Sequence, residues 1–188
     1  MRDLRVSERV VGEVLALLEN SAGAAYYGEP VTQLEHALQC AQLARDAGAS
    51  AEMVASALLH DIGHLLETET AQRHEEIGVV NHDDVGAAYL LERGFSPRVA
   101  ELVRGHVDAK RYLTTANPSY ASKLSGASAA TLALQGGPMT PEEAAAFQRD
   151  PLFAEKLRLR SWDEQAKRPG WQVASLESYR DLLLQQLS

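Results

Sequence analysis

The sequence predicts an all-α fold, and three observations carry that expectation. Apolar residues recur three and four positions apart, as in Val10, Val11, Val14, Leu15 and Leu18, which is the period of an amphipathic helix. No window alternates apolar with polar residues in the β-branched manner of a strand. A polar cap followed by proline, the mark of a helix start, occurs at Ser96-Pro97, Asn117-Pro118, Thr140-Pro141 and Asp150-Pro151. Together these imply one domain over residues 1–188, a bundle of about eight helices.

The elements follow in order. Ser7 is the expected N-cap of a first helix running to Leu18. The stretch from Ser21 to Pro30 holds Gly23 and Gly28 and reads as a loop, carrying Tyr26, Tyr27 and Glu29. Thr32 with Glu35 forms a capping box, so a second helix runs to Gly48 with His36 in its first turns. Ser50 caps a third, whose apolar Met53, Val54, Ala57 and Leu58 lead into His60 and Asp61. Gly63 leaves room there for a turn or a close backbone approach, and His64 lies four residues beyond His60. The segment from Leu66 to Val80, with Glu67, Glu69, Glu75 and Glu76, lacks a period and is expected to be a surface loop with His74 exposed. Asn81 to Asp84 opens a helix that contains His82 and stops at Gly94. Ser96-Pro97 opens another, with Val99, Leu102, Val103 and His106 on one stripe. The three later proline signals each announce a helix, and Ser175 is the expected cap of a last one through Leu187.

Composition narrows the function. The 188 residues are 45% apolar, enough for a real core, and carry a net charge of -8 without a basic stripe. A nucleic-acid backbone is therefore not the expected partner. Cys40 is the only cysteine and sits in an apolar helical pattern, which excludes an internal disulfide and suits a buried, unreactive thiol. No apolar signal core and no membrane-length apolar run is present, so a cytoplasmic protein without a membrane partner is expected.

The chemistry concentrates in histidines. His36, His60, His82 and His106 fall on or at the ends of four different expected helices, each beside positions that must face inward. One such histidine is usually a hydrogen-bonded core residue. Four converging with Asp61 are costly to bury unless a cation satisfies them together, and neutral imidazole and carboxylate are good metal ligands. Asp163, read alone, is a surface carboxylate near a helix.

His36, His60-Asp61 and Asp163 resemble the H…HD…D signature of the HD-domain superfamily. Finer matches at Tyr26-Tyr27-Gly28-Glu29, Gln33 to His36, Gly105 to Leu113, Gly136 to Met139 and Arg160 to Asp163 resemble the HD-type organophosphonate oxygenases. The resemblance implies two iron ions, mixed-valent Fe(II)/Fe(III), with dioxygen as co-substrate. It assigns His36, His60, Asp61 and Asp163 to one iron, and Asp61, His82 and His106 to the other, with Asp61 bridging. It assigns His64, Lys110, Ser128 and Arg160 to the phosphonate. Tyr26, or Tyr27 beside it, would ligate an iron until substrate displaces it, and Glu29 would hold the substrate's amine. The expected partner is a small hydroxyphosphonate, a 1-hydroxy-2-aminoethylphosphonate or its N-trimethyl analogue. Cleavage of its C–P bond would give phosphate and glycine or glycine betaine. Tyr27, Tyr112, Tyr120 and Trp162 read either as ordinary core or rim aromatics or, if several line the amine pocket, as a surface that would suit the trimethylammonium group. The same ligands could instead serve a metal-dependent phosphohydrolase acting on a nucleotide or phosphoester.

Overall fold

The computed structural model describes residues 4–26, 28–74 and 78–187. Tyr27, Glu75 and Glu76, named above, lie outside the described residues. The all-α expectation holds. Ten α-helices occur among the described residues: α1 (Leu4–Glu19), α2 (Gln33–Asp46), α3 (Ala51–Leu59), α4 (His82–Glu92), α5 (Pro97–Ala116), α6 (Pro118–Ala121), α7 (Gly126–Leu134), α8 (Pro141–Phe147), α9 (Phe153–Gln165) and α10 (Arg180–Leu184). Two 3-10 turns, Ile62–Leu65 and Leu176–Tyr179, and a two-stranded antiparallel ribbon of β1 (Arg73–His74) with β2 (Gly78–Val79) complete them.

The caps work as the sequence proposes at five helices, among them α6, where the Asn117 side chain accepts from the Ser119 amide at 3.1 Å. The Thr32 hydroxyl accepts from the Glu35 amide at 3.1 Å while the Glu35 carboxylate accepts from the Thr32 amide at 2.7 Å. Ser50 and Ser96 accept from Met53 and Val99, and Thr140 pairs with Glu143 as Thr32 does with Glu35. The long α5 is the spine: α3, α4 and α9 pack directly on it, and α2 closes the bundle against α3 and α9. The main core draws on α1 to α5, α9 and the C-terminal turns, and includes Val14, Leu58, Leu102, Leu159 and Tyr179. Cys40 is fully buried within it.

Several boundaries differ from expectation. α1 already begins at Leu4, so Ser7 lies inside the helix, buried, and is not its cap. The Leu66–Val80 stretch is only partly a surface loop. Its ends, Leu66 and Val79, are buried against Val85, and the ribbon pairs Arg73 with Val79, while His74 is exposed as expected. α7 has no expected counterpart, because its small residues bury no apolar stripe. Pro151 stands in the turn before α9, where the Asp150 carboxylate accepts from the Leu152 amide at 2.7 Å. Ser175 makes no side-chain cap, and the C-terminal helix is a 3-10 turn followed by α10, ending at Leu184. No helix of the described residues is long and apolar enough to cross a membrane.

Candidate metal centre

Four buried imidazoles are held the same way. His36 donates from Nδ1 to the Ala166 carbonyl at 2.8 Å, and His60 to Ala57 at 2.9 Å. His82 donates to Val79 at 3.1 Å and His106 to Val103 at 2.6 Å. A backbone carbonyl offers no proton, so each ring keeps its hydrogen on Nδ1 and points a bare Nε2 inward. Those nitrogens meet in pairs, His36 with His60 at 3.0 Å and His82 with His106 at 2.9 Å. Two lone pairs that close repel unless a positive charge lies between them.

The carboxylates complete two donor sets. His36, His60 and Asp163 form one group and Asp61, His82 and His106 the other, with the ligand atoms of each within 4.8 Å of one another. Asp61 sits between them. Its Oδ2 is 3.5 Å from His36 Nε2 and 3.3 Å from His60 Nε2. Its Oδ1 is 3.2 Å from His82 Nε2 and 3.5 Å from His106 Nε2. Asp61 Oδ2 is buried without a hydrogen-bond partner. An orphaned carboxylate oxygen facing paired imidazole nitrogens fits a cation on each side of Asp61. Burial alone would push the Asp61 carboxyl up, but the surrounding imidazoles, His60 foremost, hold it well below the usual carboxylate range.

The HD turn owes its position to a glycine. His60 caps α3, Asp61 follows it, and the 3-10 turn carries His64. A Cβ on Gly63 would stand 1.9 Å from the His82 carbonyl oxygen, so only glycine allows the turn to lie against the start of α4. His64 stacks on His82 with centroids 4.0 Å apart, and its Nδ1 accepts from the Val79 amide at 3.3 Å. That bond leaves the proton on Nε2. Burial, then the neighbouring His82, push His64 well below the ordinary histidine range, so it is a neutral donor.

Beside the donor sets lies a pocket of cationic and hydroxyl groups, with Lys110, Arg160, Ser128 and His64 in its wall together with Tyr26 and Glu29. α9 presents Arg160 and Asp163 on one face, and the Arg160 Nη1 donates to Asp163 Oδ2 at 2.5 Å. Its Nε donates to Tyr120 and Glu164, both at 3.0 Å, and its Nη2 lies 3.5 Å from the Ser128 hydroxyl. Lys110 donates to Thr131 at 2.9 Å and to the Gln135 side chain. Burial, then Arg160, bring Lys110 down to about 7. The Tyr26 ring stacks on His36 at 4.1 Å, and burial followed by Asp61 and Asp163 keeps its phenol protonated.

A model of the HD domain matches residues 34–150. The chain belongs to the HD-domain family. It is 44% identical over 158 residues to a hydroxymethylphosphonate dioxygenase of Gimesia maris, covering 84% of this chain and 78% of that one. It is 42% identical over 143 residues to a [1-hydroxy-2-(trimethylamino)ethyl]phosphonate dioxygenase (glycine-betaine-forming) of Leisingera caerulea, 76% of this chain and 72% of that one. An uncharacterised protein of Acanthamoeba polyphaga mimivirus is 40% identical over 179 residues, 95% of this chain and 82% of its own. These relatives mark the chain as an enzyme of the oxygenase branch of the family.

In this HD protein the structure brings together the candidate metal and substrate residues named from the sequence, His36, His60, Asp61, His82, His106 and Asp163 beside Tyr26, Glu29, His64, Lys110, Ser128 and Arg160, and it adds partners that sequence reasoning missed. Thr131 and Gln135 hold Lys110, and Tyr120 and Glu164 hold Arg160. Lys167 donates to Glu29 at 2.6 Å and to the Ser125 hydroxyl at 3.2 Å. Helical spacing offered a faint signal for one of them, since Thr131 follows Ser128 by three. Among the described residues, Tyr112, Tyr120 and Trp162 do not line the pocket. Tyr112 packs with Phe147 and Phe153, Trp162 lies in the main core, and Tyr120 hydrogen-bonds Glu164.

Proposed function

We propose that this HD-domain oxygenase uses dioxygen to cleave the carbon–phosphorus bond of a 1-hydroxyphosphonate, releasing phosphate and a carboxylic acid. The observation that carries the reading is Asp61, with one oxygen toward each histidine pair, next to a pocket that gathers Lys110, Arg160, Ser128 and His64. Imidazole and carboxylate donors without a thiolate accept iron, manganese or zinc. An Fe(II)/Fe(III) pair held by His36, His60, Asp61 and Asp163 on one side, and by Asp61, His82 and His106 on the other, would supply one-electron chemistry toward dioxygen and Lewis acidity toward the substrate's hydroxyl.

The chain's own groups bind and orient. Arg160, fixed by Asp163, Glu164 and Tyr120, keeps its Nη2 edge toward Ser128 and the pocket, where a phosphonate oxygen can accept from both. Lys110 adds a point charge from the facing helix α5. His64 donates its Nε2 proton, and as a neutral ring it does so without competing for the metal's charge. As phosphate leaves, these donors hold the developing negative charge where water would otherwise have to reorganise. Tyr26, lying on His36, keeps solvent from the donor set until substrate enters, and its loop acts as the lid.

The test is phosphate release from hydroxymethylphosphonate, 2-amino-1-hydroxyethylphosphonate and its trimethylammonio analogue by iron-loaded protein, with and without dioxygen. Phosphate formed from any of them only in the presence of dioxygen is the expected result. Release from nucleotides without dioxygen, and none from the phosphonates, would replace this reading with a metal-dependent phosphohydrolase.

A further inference from the structure

We infer that Lys167 sets the substrate class of this pocket: by occupying Glu29 it reserves the site for 1-hydroxyphosphonates whose substituent on the hydroxylated carbon carries no positive charge, such as hydrogen or a short alkyl group. The inference rests on the reading of the site as a C–P-cleaving oxygenase. Its first support is geometric. Lys167 Nζ lies 2.6 Å from Glu29 Oε1, and the two side chains are only 14% and 8% exposed. Ser125, the N-cap of α7, binds the same ammonium at 3.2 Å, so Lys167 is tied to both the lid loop and the wall of the pocket.

The second support is a count of negative charge. The carboxylates lining the pocket are Glu29, Asp61 and Asp163, and the last two belong to the donor sets for metal. Glu29 is therefore the pocket's one carboxylate outside those sets among the described residues, and it already has a cation. A substrate ammonium arriving there meets Lys167 first. Like charges placed together in a half-dry pocket are strongly unfavourable, and displacing Lys167 would break two hydrogen bonds and leave its charge beside the substrate's.

The third support concerns the quaternary group. Tyr26 is the phenol ring on the pocket wall, one face of it is covered by His36 at 4.1 Å, and Lys167 Nζ already stands 5.8 Å from its centroid. Tyr112, Tyr120 and Trp162 do not line the pocket, so they form no cage for a trimethylammonium group. An uncharged substituent asks for neither contact. The phosphonate dianion would meet Lys110 and Arg160 while the Glu29–Lys167 pair stays closed over it.

The experiment compares kcat/KM for hydroxymethylphosphonate, 1-hydroxyethylphosphonate and 2-amino-1-hydroxyethylphosphonate in the iron-loaded full chain and in Lys167→Met. The wild type should favour the uncharged substrates by about tenfold or more. Lys167→Met should move that ratio toward the amine by a similar factor, and adding Glu29→Gln should abolish the shift. A parallel titration measures binding of methylphosphonate and 2-aminoethylphosphonate to the metal-loaded wild type by calorimetry. It decides the matter if Lys167→Met does not fold or if no phosphonate is turned over. Tighter binding of methylphosphonate upholds the inference even where the oxygenase reading fails. Wild type preferring the amine in turnover or in binding, or Lys167→Met lowering all three substrates equally, overturns it.

Discussion

Gly63→Ala should loosen the metal centre without touching a ligand. The new Cβ would stand 1.9 Å from the His82 carbonyl oxygen, 2.7 Å from its carbon and 2.9 Å from the Gly86 nitrogen. All three are backbone atoms, so no side chain can swing aside. Relief needs the 3-10 turn and the start of α4 to part by about 1.5 Å, the gap between that approach and ordinary contact. The turn follows Asp61 and carries His64, and α4 begins at His82, so the movement separates ligands that must keep their distances within about 0.2 Å. Overpacking against rigid backbone costs about 3 kcal/mol, at the upper end of such substitutions. In a chain of this size that lowers Tm by roughly 5–10 °C. The assay is thermal unfolding with and without iron, together with iron content after desalting. The metal-free protein should show the drop, and the iron retained per chain should fall most in the Asp61, His82 and His106 set. An unchanged Tm with full iron content would refute the claim that backbone contact fixes this turn.

Stripping metal with a chelator should lower Tm, because the nitrogen pairs at 3.0 and 2.9 Å lose the charge between them. Iron or zinc should each restore the Tm, only iron should restore dioxygen-dependent phosphate release, and equal melting with and without metal would count against metal ligation. Lys110, brought to about 7 by burial and Arg160, is charged below that pH and neutral above it. The kcat/KM for a phosphonate should therefore fall about tenfold as pH rises through neutrality, the worth of one charge-assisted hydrogen bond. Lys110→Arg, which stays charged throughout, should flatten that limb of the profile if folding is retained, and an unaltered profile would show that another group titrates. Arg160→Lys loses the fork that reaches Asp163, Ser128 and Tyr120 together, and should raise KM about tenfold or more in steady-state assays; an unchanged KM would remove Arg160 from the pocket's grip.

Much of this was legible before the fold. Helix starts such as Thr32 with Glu35 and Ser96 with Pro97 are local chemistry, settled within four residues, and they place His36 and His106 correctly on α2 and α5. The convergence of four histidines could be expected because each sits beside apolar positions that must face inward. What stayed hidden depends on neighbours far along the chain. Lys167 meets Glu29 across 138 residues and Gln135 meets Lys110 across 25, and neither pairing leaves a periodic trace. α7 escaped notice because its alanines, serine and threonine form a wall of the pocket and bury no stripe. The ribbon was hidden by its brevity, two residues a strand, although Val79 within it is fully buried. Tyr112 and Trp162 take the core alternative, because they gain more by packing in hydrophobic clusters than by facing a polar pocket.

The carbonyls that fix the histidine rings also imply an order of assembly. His60, His82 and His106 each lean on a carbonyl three residues earlier, within the local backbone. His36 leans on Ala166, 130 residues away, where Gln39 and Arg168 also clasp each other in both directions. The Asp61, His82 and His106 set therefore closes within a short span of chain, while the other must wait for the C-terminal part of the protein to return and bear the entropy of that long loop. During folding the local set should capture its ion first, and metal added to a refolding chain should bind in two kinetic steps. Weakening the clasp at Gln39 should delay only the second.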